Sequence, residues 1–440
     1  MRNSQVESIK PHLLNGLETA KQNGASCAKL SFSQTESQEV EFENSRLKSS
    51  TTRQGMSYRV VVVVEGKIGV TGGNDPRALN EMVTRAIQLA TAGSKAHFDT
   101  YPSPGKPVDI RTHSEKTLGL TPEKMVNACE DVIRDIQEYS RDLFICASAS
   151  RSESESLLVT SGGVCHSDTS TRWSLYGHVQ KTQGSDMLFS GYGRSWRDLT
   201  DLFSPQYISA NVIRDLKDGE TIAAPPNGNL PALLTPDLFR MMLWAFAMGI
   251  NGRNVAKGDS PLGERIGKQI FDPSISIVDD PHLNYSPGSA SIDSDGIPTQ
   301  QIPIVEKGVL KTFLYDLDSA GLAGTHPTGN SGCSPYSLTT EPGTDDLQTL
   351  ISGIDCGIWI KDLIGFGQSN IINGDFSCNV GLGYLIRKGT VVGRIKNTMV
   401  AGNIYDILKS GVTLGSDVDP VKRVPSALIE QISVHSAGEK

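Results

Sequence analysis

Ser57–Thr71, SYRVVVVVEGKIGVT, sets two runs rich in β-branched residues on either side of Glu65-Gly66-Lys67. Such runs fit a pleated, half-buried surface, and a short glycine-containing break between them predicts a β-hairpin. The valine run Val60–Val64 is far too short to span a bilayer, and Met1–Lys10 holds no apolar core of an export signal, so no membrane is expected.

Upstream of the hairpin, Ile9, Leu13, Leu14, Leu17 and Ala20 recur at helical spacing over Val6–Lys21, and Gly24 follows as a stop. Ala28–Ser33 and Val40–Glu43 alternate in the manner of strands. Downstream, Asp75-Pro76 opens a second amphipathic helix carrying Leu79, Met82, Val83, Ala86, Ile87 and Ala90. These elements make a first α+β unit over residues 1–92. The polar, proline-containing stretch that follows reads as a linker over 93–120.

Thr121-Pro122-Glu123 then supplies a helix cap and a first-turn proline ahead of Met125, Ala128, Cys129, Val132, Ile133 and Ile136. Strand patterns at Leu143–Ser148, Ser156–Thr160, Thr171–Gln180 and Asp186–Arg194 precede a helix at Tyr207–Leu216, giving a middle α+β unit at 121–220. Helix, antiparallel meander, helix thus occurs twice, although no residue motif repeats with it. From residue 225 to 440 glycine, proline and short apolar runs dominate, which predicts a β-rich domain, an antiparallel sheet or barrel, around one nearly all-apolar helix at Pro236–Met248. The fold class expected is α+β.

The whole chain, 440 residues with 38% hydrophobic and 20% charged residues, is long enough for several cores. Its net charge of −8 argues against direct contact with nucleic acid. Seven cysteines with no Cys-x-x-Cys pair read as reduced thiols of a cytoplasmic protein.

Residues that carry chemistry are sparse. Ser260 in Gly258-Asp259-Ser260 lacks the strand-to-helix elbow of a serine nucleophile, and Ser331 and Cys333 in Gly329–Cys333 lack a neighbouring base other than His326. Asp279-Asp280-Pro281-His282 and Asp293-Ser294-Asp295-Gly296 gather carboxylates without the full spacing of a calcium loop, so both are expected to be solvated turns. The eight histidines are isolated, and no His-Glu-x-x-His motif is present to hold zinc on one helix face.

Asn254–Ile266 (NVAKGDSPLGERI), Phe271–Pro281 (FDPSISIVDDP), Asp293–Gly296, Val305–Ser319 (VEKGVLKTFLYDLDS), Gly374–Ser377 (GDFS) and Thr398–Asn403 (TMVAGN) together resemble the C-terminal half of TldD/PmbA proteins in order and spacing. Tyr58–Gly73 resembles their first domain. In the TldD branch a helix upstream of this region carries His-Glu-x-x-x-His. Counting back from Ser260, those positions are Leu243, Trp244 and Met248 here, none of which can bind zinc or act as a general base.

The resemblance therefore implies the PmbA-like (TldE-like) branch. It implies a chain with no catalytic or metal-binding residue and no cofactor of its own, assembled with a zinc-holding TldD-like metallopeptidase subunit that acts on unfolded or small peptides. Asn330, Ser331, Asp375 and Ser377 are its candidate peptide-cavity residues, and Cys378 reads as a small core filler. Two other readings stay open: a stand-alone homodimeric hydrolase acting through Ser260, Ser331 or Cys333, and a peptide- or protein-binding modulator of the gyrase-modulator type.

Overall fold

The structure is a computed structural model that describes residues 5–200 and 204–437; the extremities of the expected units, 1–4 and 438–440, lie outside the described residues. The first half runs α1 (Gln5–Gln22), β1 (Cys27–Glu43), β2 (Arg46–Val64), β3 (Lys67–Gly73), α2 (Leu79–Ala90), α3 (Glu115–Leu118), α4 (Pro122–Tyr139), β4 (Phe144–Thr160), β5 (Cys165–Gln183), β6 (Asp186–Trp196) and α5 (Pro205–Asp218). The expected hairpin is β2–β3, and its turn places Glu65 and Gly66 at φ 50° and 71°. Glycine takes that conformation without strain.

All six strands lie in one antiparallel sheet, ordered β3-β2-β1-β4-β5-β6. The two helix–meander–helix units therefore share a sheet, joined by β1 and β4 from Lys29 opposite Thr160 to Phe42 opposite Ala147. Successive strand residues alternate faces. Leu30, Phe32, Val60, Val62, Leu157 and Val159 lie in one core with Leu13, Met82 and Val83 of α1 and α2. Ala147, Ala149, Trp173, Leu175 and Val179 lie in another with Met125, Val132, Val212 and Leu216 of α4 and α5. Each fully buried Leu, Val or Phe contributes about 1.5–3 kcal/mol of transfer free energy. Both helix pairs cover the same sheet face; the opposite face meets the C-terminal half, where Leu317 of the later helix at Leu317–Ala323 packs against Cys27 and Val63.

The strands are longer than their hydrophobic pattern. β1 is one strand of 17 residues where two short ones were expected, and β4 runs unbroken through Ser150–Glu155. Between the two helix pairs both faces are polar: Thr35 Oγ1 meets Ser154 Oγ at 2.9 Å on one, and Arg151 Nε donates to Gln38 Oε1 at 3.0 Å on the other.

The second half runs β7 (Ile222–Ala223), β8 (Gly228–Leu234), α6 (Pro236–Gly249), α7 (Gly252–Lys257), β9 (Ile277–Asp279), β10 (Ile302–Glu306), β11 (Val309–Leu310), α8 (Leu317–Ala323), β12 (Leu338–Thr340), α9 (Leu347–Ser352), β13 (Cys356–Ile364), β14 (Asp375–Arg387), β15 (Thr390–Ile395), β16 (Thr398–Asn403), α10 (Ile404–Ile407), β17 (Val412–Leu414) and β18 (Ala427–Ser436). Strands β13-β8-β18-β16-β14 pair in sequence and β14 pairs back to β13, so the ring closes as a barrel. Four of its pairings are antiparallel, and β8–β13 is parallel. Closure removes the exposed edges that an open sheet would present. Strands β9–β12 form a separate four-stranded sheet.

Helix α6 begins at Thr235, whose Oγ1 accepts from Leu238 N, and it has Pro236 in its first turn. Its Leu238, Phe239, Met242, Leu243, Ala245 and Phe246 are buried in the largest core, together with Phe271, Ile304, Leu314 and Ile360. Buried ion pairs tie the two halves together. Lys361 of β13 meets Asp215 of α5, Arg194 of β6 meets Asp419 at 2.9 Å, and Arg394 of β15 meets Asp186 of β6 at 2.5 Å.

Candidate functional site

The sheet meets the C-terminal half at two cavities. The larger, of 1210 Å³, lies beside β6, α5 and the start of α6. Its lysines and two of its arginines are engaged: Lys361 with Asp215, Arg194 with Asp419, Lys422 with Asp237, and Arg240 with the Lys422 carbonyl. The second, of 750 Å³, is walled by Lys29, Ser31 and Ser33 of β1, Arg59 and Val61 of β2, and Leu158 of β4. Facing these are the loops holding Ser291–Asp295 and Ser331–Tyr336 and the start of α8. Its size falls within the range of small-molecule and short-peptide sites.

Lys29 Nζ crosses from the sheet to donate to Asp295 Oδ1 at 2.5 Å and to Ser294 O at 2.8 Å. On the same loop Asp293 is 3% exposed. Its Oδ1 accepts from Asp295 N at 2.8 Å and Ile297 N at 2.9 Å, while its Oδ2 has no hydrogen-bond partner among the described residues. Burial first, and the neighbouring Asp295 second, push the Asp293 carboxyl up to about 6. Ser331 Oγ accepts from Ser294 N at 2.9 Å and lies 3.2 Å from Tyr336 Oη. Burial pushes the Tyr336 phenol up to about 12, so it stays neutral. His166 Nε2 lies 3.2 Å from Ser291 Oγ.

Two sequence expectations fail at this point. Asp279 and Asp293 are not in solvated turns. Asp279 is fully buried, accepting from Tyr336 N, Ser337 N and Asn330 Nδ2 at 2.8, 2.7 and 2.7 Å, and burial raises its pKa. Loop backbone donors replace the water that the sequence suggested.

Among the candidate cavity residues, Ser331 lines the cavity. Asn330 stands behind it, 1% exposed and bound to Asp279. Asp375 and Ser377 point outward from β14, alternating with buried Phe376 and Cys378, and neither lines either cavity. Cys378 packs in the core as a small apolar filler.

Ser260 donates to Gly249 O at 2.5 Å and accepts from Leu262 N at 3.1 Å, a turn-forming role. Cys333 is fully buried, 3.0 Å from Ser319 Oγ, and burial raises its thiol pKa, the reverse of what a thiolate nucleophile needs. Lys29 was missed by the sequence reading. Its signal is a lone charge between Ala28 and Leu30 at the start of a strand.

On α6, Leu243 is fully buried, Trp244 is 51% exposed, and Met248 packs partly against the core. No group of three or more His, Cys, Asp or Glu among the described residues is placed to hold a metal ion. The side chains present do not fit zinc.

Residues 28–90 match the profile of PmbA/TldA metallopeptidase domain 1, and residues 227–436 match that of the PmbA/TldA metallopeptidase C-terminal domain. The chain is 28% identical over 374 residues to an uncharacterised protein of Methanocaldococcus jannaschii, covering 83% of this chain and 86% of that one. It is also 28% identical over 240 residues to a metalloprotease PmbA homologue of Buchnera aphidicola, covering 54% of this chain and 53% of that protein. TldE from Thermococcus kodakarensis superposes with a TM-score of 0.86 at 20% identity, covering 97% of this chain and all of that one, which is a likeness of fold.

Proposed function

Because the chain belongs to the PmbA/TldD family, matched in its first and C-terminal domains, we propose that it is a non-catalytic, PmbA/TldE-like subunit of a heteromeric TldD-type metallopeptidase. It acts in the cytoplasm. The observation that carries this reading is α6, where the positions matching the family's metal motif hold buried Leu243, exposed Trp244 and half-buried Met248. A helix with these side chains packs a core and cannot bind or activate water on a metal.

The hydrolytic zinc then belongs to a TldD-like partner. This chain contributes the space in which an unfolded or small peptide lies, between the sheet face at β1, β2 and β4 and the loops at Ser291–Asp295 and Ser331–Tyr336. The engaged hydroxyl of Ser260 and the buried thiol of Cys333 count against a stand-alone hydrolase using either.

The test is elemental analysis and cleavage of an unfolded peptide, by the purified chain alone and mixed with a TldD-type subunit from the same genome. Cleavage only in the mixture, with no stoichiometric zinc on this chain, is expected. Zinc bound stoichiometrically to this chain, or cleavage by it alone, overturns the reading.

A further inference from the structure

The cavity wall carries five aspartates against two arginines and one lysine. Two of these cations are committed, Lys29 to Asp295, and Arg253 to Asp316 at 3.4 Å and Asp318 at 3.1 Å; the third is Arg59 of β2. The excess is negative, and within it Asp293 keeps one carboxylate oxygen without a donor although 97% of the residue is shielded from solvent. A buried acceptor left unmatched is costly, and native proteins retain one mainly where something else supplies the donor. Beside it stand the hydroxyls of Ser331 and Tyr336, while Val61 and Leu158 give the sheet side of the cavity an apolar surface.

We propose that this cavity is a subsite for a primary ammonium group, with Asp293 as its anionic acceptor, Ser331 and Tyr336 as neutral acceptors, and the apolar wall receiving the adjoining side chain. The ligand that combines a primary ammonium with an adjoining apolar group is the N-terminus of a peptide. The proposal rests on the reading of this chain as part of a peptide cavity, and it adds which end of the peptide is held. An ammonium offers three donors, matching a carboxylate oxygen and two hydroxyl oxygens, and such charge-assisted bonds are the strong ones.

Protonation of Asp293 removes the anion. The groups facing it are Asp295 on its own loop, Lys29 of β1, Tyr336 of the loop before β12, and His166 of β5 through Ser291.

The test is calorimetric titration of the full chain, alone and without metal, with three C-terminally amidated leucyl tripeptides: a free N-terminus without lysine, the N-acetylated form, and the N-acetylated form with one lysine. The free N-terminus should bind at least about ten-fold tighter than the blocked peptide. Asp293→Asn should abolish this preference, and acidification through about pH 6 should shrink it. Binding of the lysyl peptide at the strength of the free one supports the ammonium site and makes the side chain a second source of the group. Equal binding of all three, binding of none, or an unchanged preference in Asp293→Asn overturns the proposal. The comparison of peptides on the unaltered chain needs no variant to fold. Ammonium preference without cleavage in the two-subunit mixture keeps this inference and sinks the subunit reading; cleavage without preference does the reverse.

Discussion

Replacing Asp215 by Ala removes one half of an ion pair that ties α5 to the barrel. The Lys361 side chain is 4% exposed and that of Asp215 1%. Asp215 also accepts from Ser190 Oγ at 2.7 Å, and its carbonyl accepts from Tyr384 Oη at 3.0 Å. The ammonium stands over the Trp359 ring at 4.6 Å, and burial already lowers the lysine pKa. Without the carboxylate the ammonium has aromatic faces but no anion, a loss of about 3–5 kcal/mol. In a cooperative unit of about 150–250 residues that is a fall of about 6–20 °C in melting temperature. Lys361→Met strands the carboxylate instead and should cost a similar amount, because among the described residues Ser190 and the tyrosines Tyr192 and Tyr384 are the side-chain donors left to it. The double variant removes both charges together, so it should melt well above the sum of the single losses, by about 2–3 kcal/mol of coupling. The measurement is scanning calorimetry of all four proteins at neutral pH. Additive single losses would show that the pair carries no interaction beyond two independent side chains, and the account of the staple would be wrong.

Leu243→Ala should destabilise by about 2–5 kcal/mol through a core cavity, whereas Met248→Lys, half-buried and able to reach water with its ammonium, should cost less; thermal melts that reverse this order refute the placement of α6. Asp293 is held at about 6 against an ordinary 3.8, so the folded chain keeps a proton there that the unfolded chain has released. That stabilising contribution is complete below pH 3.8 and is lost as pH rises through about 6, a change of about 3 kcal/mol. The stability of wild type relative to Asp293→Asn, from denaturant titrations, should therefore fall from acid to neutral pH, and a flat difference contradicts the burial of that carboxyl. Cys165 is the one exposed thiol of the seven, so it should react first with a maleimide, while Cys27, Cys129, Cys333 and Cys378 stay protected until unfolding; mass spectrometry that finds Cys333 labelled early would reopen the thiol nucleophile.

Helices were legible where a cap and a 3.6-residue apolar period coincide, as at Thr121-Pro122 before Met125, and α6 by its nearly all-apolar run. The hairpin at Ser57–Thr71 was legible because two β-branched runs flank Glu65-Gly66-Lys67, and Val60–Val63 are buried on both faces of the strand. The polar middles of β1, β2 and β4 were not. Ser33–Glu39 lies beyond the helix cover on one side and among hydroxyls on the other, with no residue fully buried, so no period-two hydrophobic signal exists there to be read. The barrel was foreseen as one of two alternatives, since closure depends on β13 meeting β14 and β8, a pairing that local pattern does not encode. The candidate site was half legible. Ser331 was found by its glycine-rich loop, but Asp293 looked like any other acidic turn, because burial by a distant strand leaves no mark on the neighbouring residues.

The seam between β1 and β4 also governs the order of events during synthesis. Val40 pairs with Ala149 and Lys29 with Thr160, so β1 leaves the ribosome with its partner more than about a hundred residues behind. At about 5–20 residues per second the first hairpin waits about 5–25 seconds with one edge open. An open edge recruits other strands, and alternation of Ser, Thr, Gln and Glu along Ser33–Glu39 makes this one a poor template for them. The polar stretch that hides β1 from a sequence reader keeps the half-made chain out of aggregates until its second half arrives.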